Sequence, residues 1–560
     1  MSKRKSNTAE DGLYFLPLGG AGEIGMNLNL YGIGPEDDRK WLMIDLGVTF
    51  GDDSTPGVDL IMADPSFIED RADDLVGIVL THAHEDHIGA VPHLWASFEC
   101  PVYATPFTAA LVRAKLEEAG LKNEVPLHEI PLGGSLDLDP FKLKFITLTH
   151  SIPEPNAIAI ETRFGTVLHT GDWKIDPDPL IGEQTDEASL RALGDANVLA
   201  MVCDSTNVFE AGRAGSEGEV RGNLQELISP LTGRVAVTTF ASNVARVRTV
   251  IEVADACGRH PVLVGRSMHR CVAAAKACGL LDGLPQLMDE AEAAHLPRDK
   301  VLYICTGSQG EPRAALSRIA RNDHRHISLD EGDSVIFSSR VIPGNDIGIA
   351  ALQNDLAALG VTVIQDRRDG YHVSGHPCRD ELADMYSWVR PKIAVPVHGE
   401  LRHMMAHAAL AKELQVPETV VVQNGAMVRL EEGNARIVDE VYAGRLYLDG
   451  DMLIDSQDDV MKRRKQISWN GFVGVTVVMD GRGRLAADPA ITVEGVPSED
   501  WDGRPIEGVI SQAVQATVKR AKGKDREGRN FSEKIRIAAR RSVRDGVGKN
   551  PLTRVQVIEL

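Results

Sequence analysis

Short apolar runs that close on a histidine or an aspartate recur through the first 205 or so residues. WLMIDLG (41–47), VGIVLTH (76–82), FKLKFITLTH (141–150), TVLHTGD (166–172) and VLAMVCDST (198–206) all have this form. Turns and helical patterns alternate with them, which predicts an α/β domain over residues 10–206. A polar residue at the end of an apolar strand sits at the rim of a sheet, where several such residues can be held around one point.

From 207 to 370 the pattern changes to strands (RVAVTTF, PVLVGR, VLYICTG, SVIFSS) alternating with helices (VARVRTVIEVADAC, ALQNDLAALG). This reads as a second α/β domain. PKIAVPVHGE (391–400) then places a histidine at a strand end again, so 371–450 is expected to return to the first domain, with 207–370 inserted into it. The charged stretch DMLIDSQDDVMKRRK (451–465) is expected to be a linker. Over 466–560, FVGVTVVMD and RLAADPAITVEGV predict antiparallel strands, followed by helices and a closing strand TRVQVIEL, a small α+β domain. No repeat of fixed period and no low-complexity tract interrupts the pattern.

Composition narrows the chemistry. At 560 residues the chain is long enough for several cores, and 43% hydrophobic with 25% charged residues is ordinary globular usage. No apolar run reaches the roughly 18 residues of a membrane span, and the opening MSKRKSNTAEDG lacks the apolar stretch of a signal peptide, so a cytoplasmic protein is expected. Seven scattered cysteines without a C-x-x-C pair fit reduced thiols. A net charge of -21 excludes a protein that coats nucleic acid through bulk electrostatics. Any attraction for a polyanion must be local, from bound cations or from the basic stretch Lys519, Arg520, Lys522, Lys524, Arg526, Arg529, Lys534, Arg536, Arg540, Arg541 and Arg544. That stretch reads equally well as a solvated helix face.

THAHEDHIG changes the picture most, because His82, His84, Asp86 and His87 fall within six residues directly after an apolar strand. In an extended segment the period-two pair His82 and His84 points one way, and the following turn swings Asp86 and His87 toward a neighbouring point. One loop can therefore feed two adjacent metal ions. Nitrogen and carboxylate donors suit Zn²⁺, and Mn²⁺ accepts a similar shell.

The motif resembles that of the metallo-β-lactamase superfamily, which implies an αββα sandwich and further strand-end ligands. The resemblance implies that His82, His84 and His150 hold one metal, that Asp86, His87 and His398 hold the other, and that Asp172 bridges both. Asp45 takes the position that accepts hydrogen bonds and orients the ligand loop. CDSTN (203–207), HVSGH (372–376) and PVHGE (396–400) are similar to the three signatures of the β-CASP nucleases, with Asp204, His376 and His398 at the marked positions. With GGAGEIGMN (19–27), HTGDWK and CTGSQGEPR (305–313) in the same order, the chain resembles the bacterial ribonuclease J family over nearly its whole length. Pro377 departs from the glycine often found after HVSGH.

The resemblance implies a ribonuclease that uses two Zn²⁺ ions (Mn²⁺ is the alternative) and leaves 5′-phosphates, with 5′-to-3′ exonuclease and endonuclease activity. Its expected substrate is single-stranded RNA with a 5′-monophosphate, and the tail domain is expected to support a homodimer or homotetramer. Asp204 and His376 are placed to donate and relay a proton to the leaving 3′ oxygen. His372, Val373, Ser374, Gly375 and His376 form a turn able to cradle a phosphate. Ser242 and Asn243 in FASNVAR are candidate phosphate or ribose contacts, although a helix N-cap explains them as well. CTGSQGEPR reads either as an anion-binding turn or as a tight structural one. The rival readings are a DNA-processing β-CASP nuclease, a small-molecule metallo-hydrolase and a non-catalytic RNA-binding scaffold.

Overall fold

A computed structural model describes residues 10–342, 344–365, 370–521 and 528–560, which divide into two compact units. The larger comprises residues up to Thr49 and Met62–Gly444; the smaller joins Phe50–Ile61 to Arg445–Leu560.

In the larger unit the apolar runs form two facing sheets. The first has eight strands, in the order Arg436–Glu440, Ala426–Arg429, Leu13–Gly19, Leu28–Ile33, Lys40–Ile44, Leu75–Val79, Val102–Ala104, Leu127–Glu129. The second has seven, Ser135–Leu138, Phe141–Thr147, Asn156–Thr162, Gly165–His169, Val198–Asp204, Ile393–Val397 and Glu418–Thr419. Phe15, Leu42, Ile44 and Val79 from the first sheet share one core with Phe145, Ile158, Val167, Val202 and Val395 from the second. On the outer face of the second sheet, Met201 and Cys203 pack with Leu190, Met385, Trp388 and Leu410 of the helices Glu187–Asp195, Arg379–Val389 and Leu401–Glu413. This is the αββα sandwich.

Strand direction decides where the polar ends gather. Gly165–His169, Val198–Asp204 and Ile393–Val397 run parallel, with Asp204 in register with Val397. Their carboxyl ends therefore emerge at one rim, and Asp172, Asp204 and His398 come with them. In the first sheet Lys40–Ile44 is parallel to Leu75–Val79, which sends Asp45 and the loop starting at His82 from one edge.

The inserted domain is a five-stranded, all-parallel sheet ordered His260–Val264, Val301–Cys305, Val235–Thr238, Ser334–Phe337, Thr362–Gln365. Its first four strands are fully or nearly buried, as a sheet covered on both faces requires.

In the smaller unit, Phe472–Met479 alternates half-buried and buried positions and pairs antiparallel with Ala490–Glu494 and parallel with Leu552–Glu559. The helices Ile506–Arg520 and Gly528–Val547 cover its apolar face through Ile510, Val514, Ile535, Ala539 and Val543. The linker expected at 451–465 is instead folded. Met452–Asp455 is a strand paired with Arg445–Asp449, and Asp458 caps the helix Asp459–Asn470 by accepting from the Val460 N–H at 2.8 Å. Its charges are the exposed faces of that helix, with Met461 turned inward. Leu60–Ala63 and Val48–Phe50 complete this four-stranded sheet, an excursion that nothing in the local pattern marks. Of the basic stretch, Lys522, Lys524 and Arg526 lie outside the described residues. Lys519, Arg520, Arg529, Arg541 and Arg544 are solvated, and Arg536 and Arg544 pair with Glu533 and Asp545. No helix among the described residues is long and apolar enough to cross a membrane.

Candidate metal centre

Residues separated by more than three hundred positions converge at the rim of the sandwich. His82, His84, His150 and Asp172 offer ligand atoms that all lie within 4.8 Å of one another, and Asp86, His87, Asp172 and His398 form a second such group. Asp172 belongs to both, with Oδ2 lying 3.2 Å from His87 Nε2, 3.4 Å from His398 Nε2 and 3.8 Å from His82 Nε2. His84 Nδ1 faces His82 Nε2 at 3.1 Å and His150 Nε2 at 3.0 Å. Nitrogens bound to one tetrahedral zinc at about 2.0–2.1 Å sit roughly 3.3 Å apart, so these separations are those of ligands around a common ion.

Four of the five imidazoles, all but His84, are oriented from behind. His87 Nδ1 donates to Asp45 Oδ2 at 2.7 Å, and against the effect of burial Asp172, Asp86 and Asp45 hold the ring well above the usual imidazole range, so a metal ion would take the place of the proton on Nε2, which faces the centre. His82 Nδ1 lies 3.0 Å from the Thr81 hydroxyl, which itself donates to Asp45 Oδ2 at 2.9 Å, while the Thr81 N–H donates to Asp45 Oδ1 at 2.8 Å. His150 Nδ1 donates to the Gly375 carbonyl, and His398 Nδ1 to the Asn27 side-chain oxygen at 3.0 Å. One buried carboxylate, Asp45, thus sets two histidines, His87 directly and His82 through Thr81. Asp45 and His398 both adopt left-handed backbone, with φ of 65° and 50°, a strain of about 1–3 kcal/mol each that the surroundings must hold.

The electrostatics suit a cation. Burial pushes His82 and His150 well below the usual imidazole range and lowers His84 to about 4, so all three are neutral donors. Burial alone would raise Asp172, but His398 and His87 outweigh it and hold the carboxyl well below the carboxylate range. Asp172 Oδ1 is buried, and among the described residues nothing donates to it. An orphaned carboxylate oxygen beside the neutral imidazoles of His82, His84 and His150 fits a metal ion.

Asp204 and His376 lie beside this centre. His376 Nδ1 is 2.8 Å from Asp204 Oδ2 and 4.0 Å from Asp172 Oδ2. Burial works against the charged imidazole, yet Asp204, with Asp172 and Asp86 behind it, pushes His376 up to about 9.

The HVSGH turn is held more tightly than its residue types imply. Ser374 Oγ accepts from Asn207 Nδ2 at 2.7 Å and from the His376 N–H at 3.2 Å, and Val373 is buried. Gly375 needs its missing side chain because a Cβ there would lie 2.7–2.8 Å from the His150 ring and the Ser151 hydroxyl. Burial, with Arg246, Lys174 and Arg340 nearby, holds His372 well below its usual range. Pro377 is accommodated just before Cys378, the N-cap of helix Arg379–Val389, where Glu381 accepts the Cys378, Ala214 and Ile175 N–H groups.

Asn243 is occupied as a helix cap. Its Oδ1 accepts from the Arg246 N–H at 2.9 Å, and the residue is 2% exposed, which favours the N-cap explanation over substrate contact. Ser242 beside it is half-buried. In CTGSQGEPR, Gln309 is spent on Arg340, Ile342 and Asn345, as a structural turn requires.

Comparison with known proteins agrees with this architecture. Family models match residues 53–199 (β-lactamase superfamily domain), 232–356 (ribonuclease J, β-CASP domain), 361–422 (Zn-dependent metallo-hydrolase RNA specificity domain) and 459–560 (ribonuclease J C-terminal domain). A ribonuclease J of Sinorhizobium meliloti is 44% identical over the full length of both chains. The chain belongs to the ribonuclease J family. A ribonuclease J of Mycolicibacterium smegmatis is 40% identical over 97% of this chain and 95% of its own, and one of Helicobacter pylori 34% identical over 83% and 67%. A crystal structure of a protein of unknown function from Enterococcus faecalis shares the fold, with a TM-score of 0.51 at 14% identity over 75% of this chain and 100% of that one. Within this ribonuclease J fold, Asn27 and Thr81 are the site residues that motif reading passed over. Asn27 was visible as the last residue of GGAGEIGMN, and Thr81 as the residue before His82.

Proposed function

We propose that this metal-dependent ribonuclease binds two zinc ions and hydrolyses single-stranded RNA, leaving 5′-phosphates by 5′-to-3′ exonuclease and endonuclease action in the cytoplasm. One observation carries the reading: two ligand clusters share Asp172, and the His376–Asp204 pair stands 4.0 Å from that same carboxylate. His82, His84 and His150 would hold one ion and Asp86, His87 and His398 the other, with Asp172 common to both. A bound pair of this kind supplies Lewis acidity for a phosphoryl oxygen and makes water nucleophilic near neutral pH.

The protein's own part is orientation and proton transfer. Asp45, Thr81 and the Gly375 carbonyl fix the imidazoles, so that the donor atoms need little reorganisation on binding substrate. His376, held by Asp204, delivers a proton to the leaving 3′ oxygen, which would otherwise depart as an alkoxide. Ser374 has accepted two hydrogen bonds and keeps its own proton to donate to a terminal phosphate. All seven cysteines are free, as in a reducing compartment. A homodimer or homotetramer is the assembly we expect.

Elemental analysis of the purified chain, paired with digestion of matched 5′-labelled RNA and DNA carrying mono- or triphosphate ends, tests the reading. Two zinc ions per chain, RNA preferred over DNA and faster attack on the monophosphate end are expected. Equal cleavage of both polymers would favour the DNA-processing alternative, and a single ion per chain would overturn the two-metal scheme.

A further inference from the structure

The GGAGEIGMN segment (19–27) supplies no proposed ligand, yet it meets the centre directly. Gly20 accepts the His398 N–H at 2.7 Å, and Ala21 and Gly22 pair in register with Gly399 and Glu400. The segment ends at Asn27, whose side-chain oxygen and nitrogen both face residues of the second cluster. Its Oδ1 accepts from His398 Nδ1 at 3.0 Å. Its Nδ2 donates to the Asp86 carbonyl at 2.9 Å and lies 3.1 Å from His87 Nε2. Its backbone N–H donates to the same Asp86 carbonyl at 2.9 Å, and its carbonyl accepts from Gly47 N at 2.9 Å. The residue is 3% exposed, and a Cβ at Gly20 would come within 2.2 Å of its Oδ1.

We propose that Asn27 is the positioning residue of the second metal seat, joining His398, which arrives late in the chain, to the Asp86–His87 loop and fixing the His398 tautomer. An acceptor at Oδ1 requires the proton on His398 Nδ1, which turns the Nε2 lone pair toward Asp86 and Asp172, 3.7 and 3.4 Å away. Asp172 also lies against both pieces, from the ligand side, whereas Asn27 holds His398 through the nitrogen turned away from the carboxylates. His82, His84 and His150 are oriented without Asn27, so the first seat is independent of it.

The inference rests on the two-metal reading, and the test separates the two. The metal-free full-length chain is titrated with zinc, and bound metal is measured by mass spectrometry against competing chelator. Fewer than two sites in the unaltered protein would mean that the two-metal reading has failed, whatever Asn27 does. With two sites established, Asn27→Ala is expected to keep one and weaken the other 10- to 100-fold, the usual effect of losing a group that orients a ligand. Unchanged affinity at both seats, or equal loss at both, overturns the proposal. Asn27→Asp keeps an acceptor for His398 Nδ1 while giving up the N–H donated to the Asp86 carbonyl, and is expected to retain the second site, bound more tightly than in the alanine variant. If the alanine variant does not fold, Asn27→Asp decides alone: retention of the second zinc supports the proposal, and its loss overturns it.

Discussion

Asp172 is the one side chain common to both clusters, so its removal should act on both ions at once, whereas a histidine of one cluster should act mainly on one. Asp172→Ala is expected to abolish RNA cleavage and lower zinc content below one per chain. His84→Ala should also abolish cleavage but leave the Asp86–His87–His398 group able to bind. Metal analysis beside a cleavage assay distinguishes them, and full activity in either variant would remove the assigned role. His376 stands apart because its partner is Asp204 at 2.8 Å. His376→Ala should slow cleavage by about 10²–10⁴-fold, the range for a lost proton donor, with zinc content near normal. Loss of metal in that variant would make His376 a ligand instead.

At the scale of elements, the turn carrying Gly375 acts as a brace for His150. A Cβ at Gly375 would lie 2.7 Å from His150 Cε1, so Gly375→Ala must displace the ring or the turn. Weaker binding at the first zinc and at least a tenfold loss of cleavage are expected from zinc titration and initial rates, and unaltered values would show that the turn yields freely. A second brace lies deeper. Arg246 is fully buried and paired with both oxygens of Glu217, and it also donates to the Ser338 carbonyl and to the carbonyl of Tyr371, the residue before HVSGH. Arg246→Ala strands a buried carboxylate and is expected to cost about 3–5 kcal/mol, measured by denaturant unfolding. What was legible in the sequence follows from distance along the chain. His82 to His87 announce themselves because six consecutive residues fix their geometry, and Asp45, His150, Asp172 and His398 because each ends an apolar strand. The Gly375 carbonyl and the Asn27 amide act on partners 225 and 371 residues away, and no local pattern encodes such a meeting. The folded segment at 451–465 was missed for the opposite reason: its charges lie on exposed helix faces, and only Met461 is buried.

For the whole molecule, buried neutral imidazoles outside the metal clusters, His407 and His169 among them, tie stability to pH. His407 is hydrogen-bonded to the Ser205 and Tyr386 hydroxyls at 2.9 Å each, and His169 to the Tyr31 hydroxyl at 2.9 Å. Burial lowers both to about 4, against an ordinary value near 6.5 in the unfolded chain. Between those values the unfolded chain binds the extra protons, so stability is complete above about pH 6.5 and falls as pH drops toward 4. Each histidine withdraws up to roughly 3 kcal/mol over that window. Melting of the metal-free protein should show this decline, and His407→Gln should flatten part of it; an unchanged profile in that variant would assign the decline to other groups.

The order in which the chain contributes its ligands has a further consequence. Asn27 is made early and His398 some 370 residues afterwards. A ribosome adding about 5–20 residues per second needs on the order of 20 to 80 seconds to reach that histidine. Until then the second cluster lacks a member, so a nascent chain shorter than this holds the donors of the first seat but not the full set of the second.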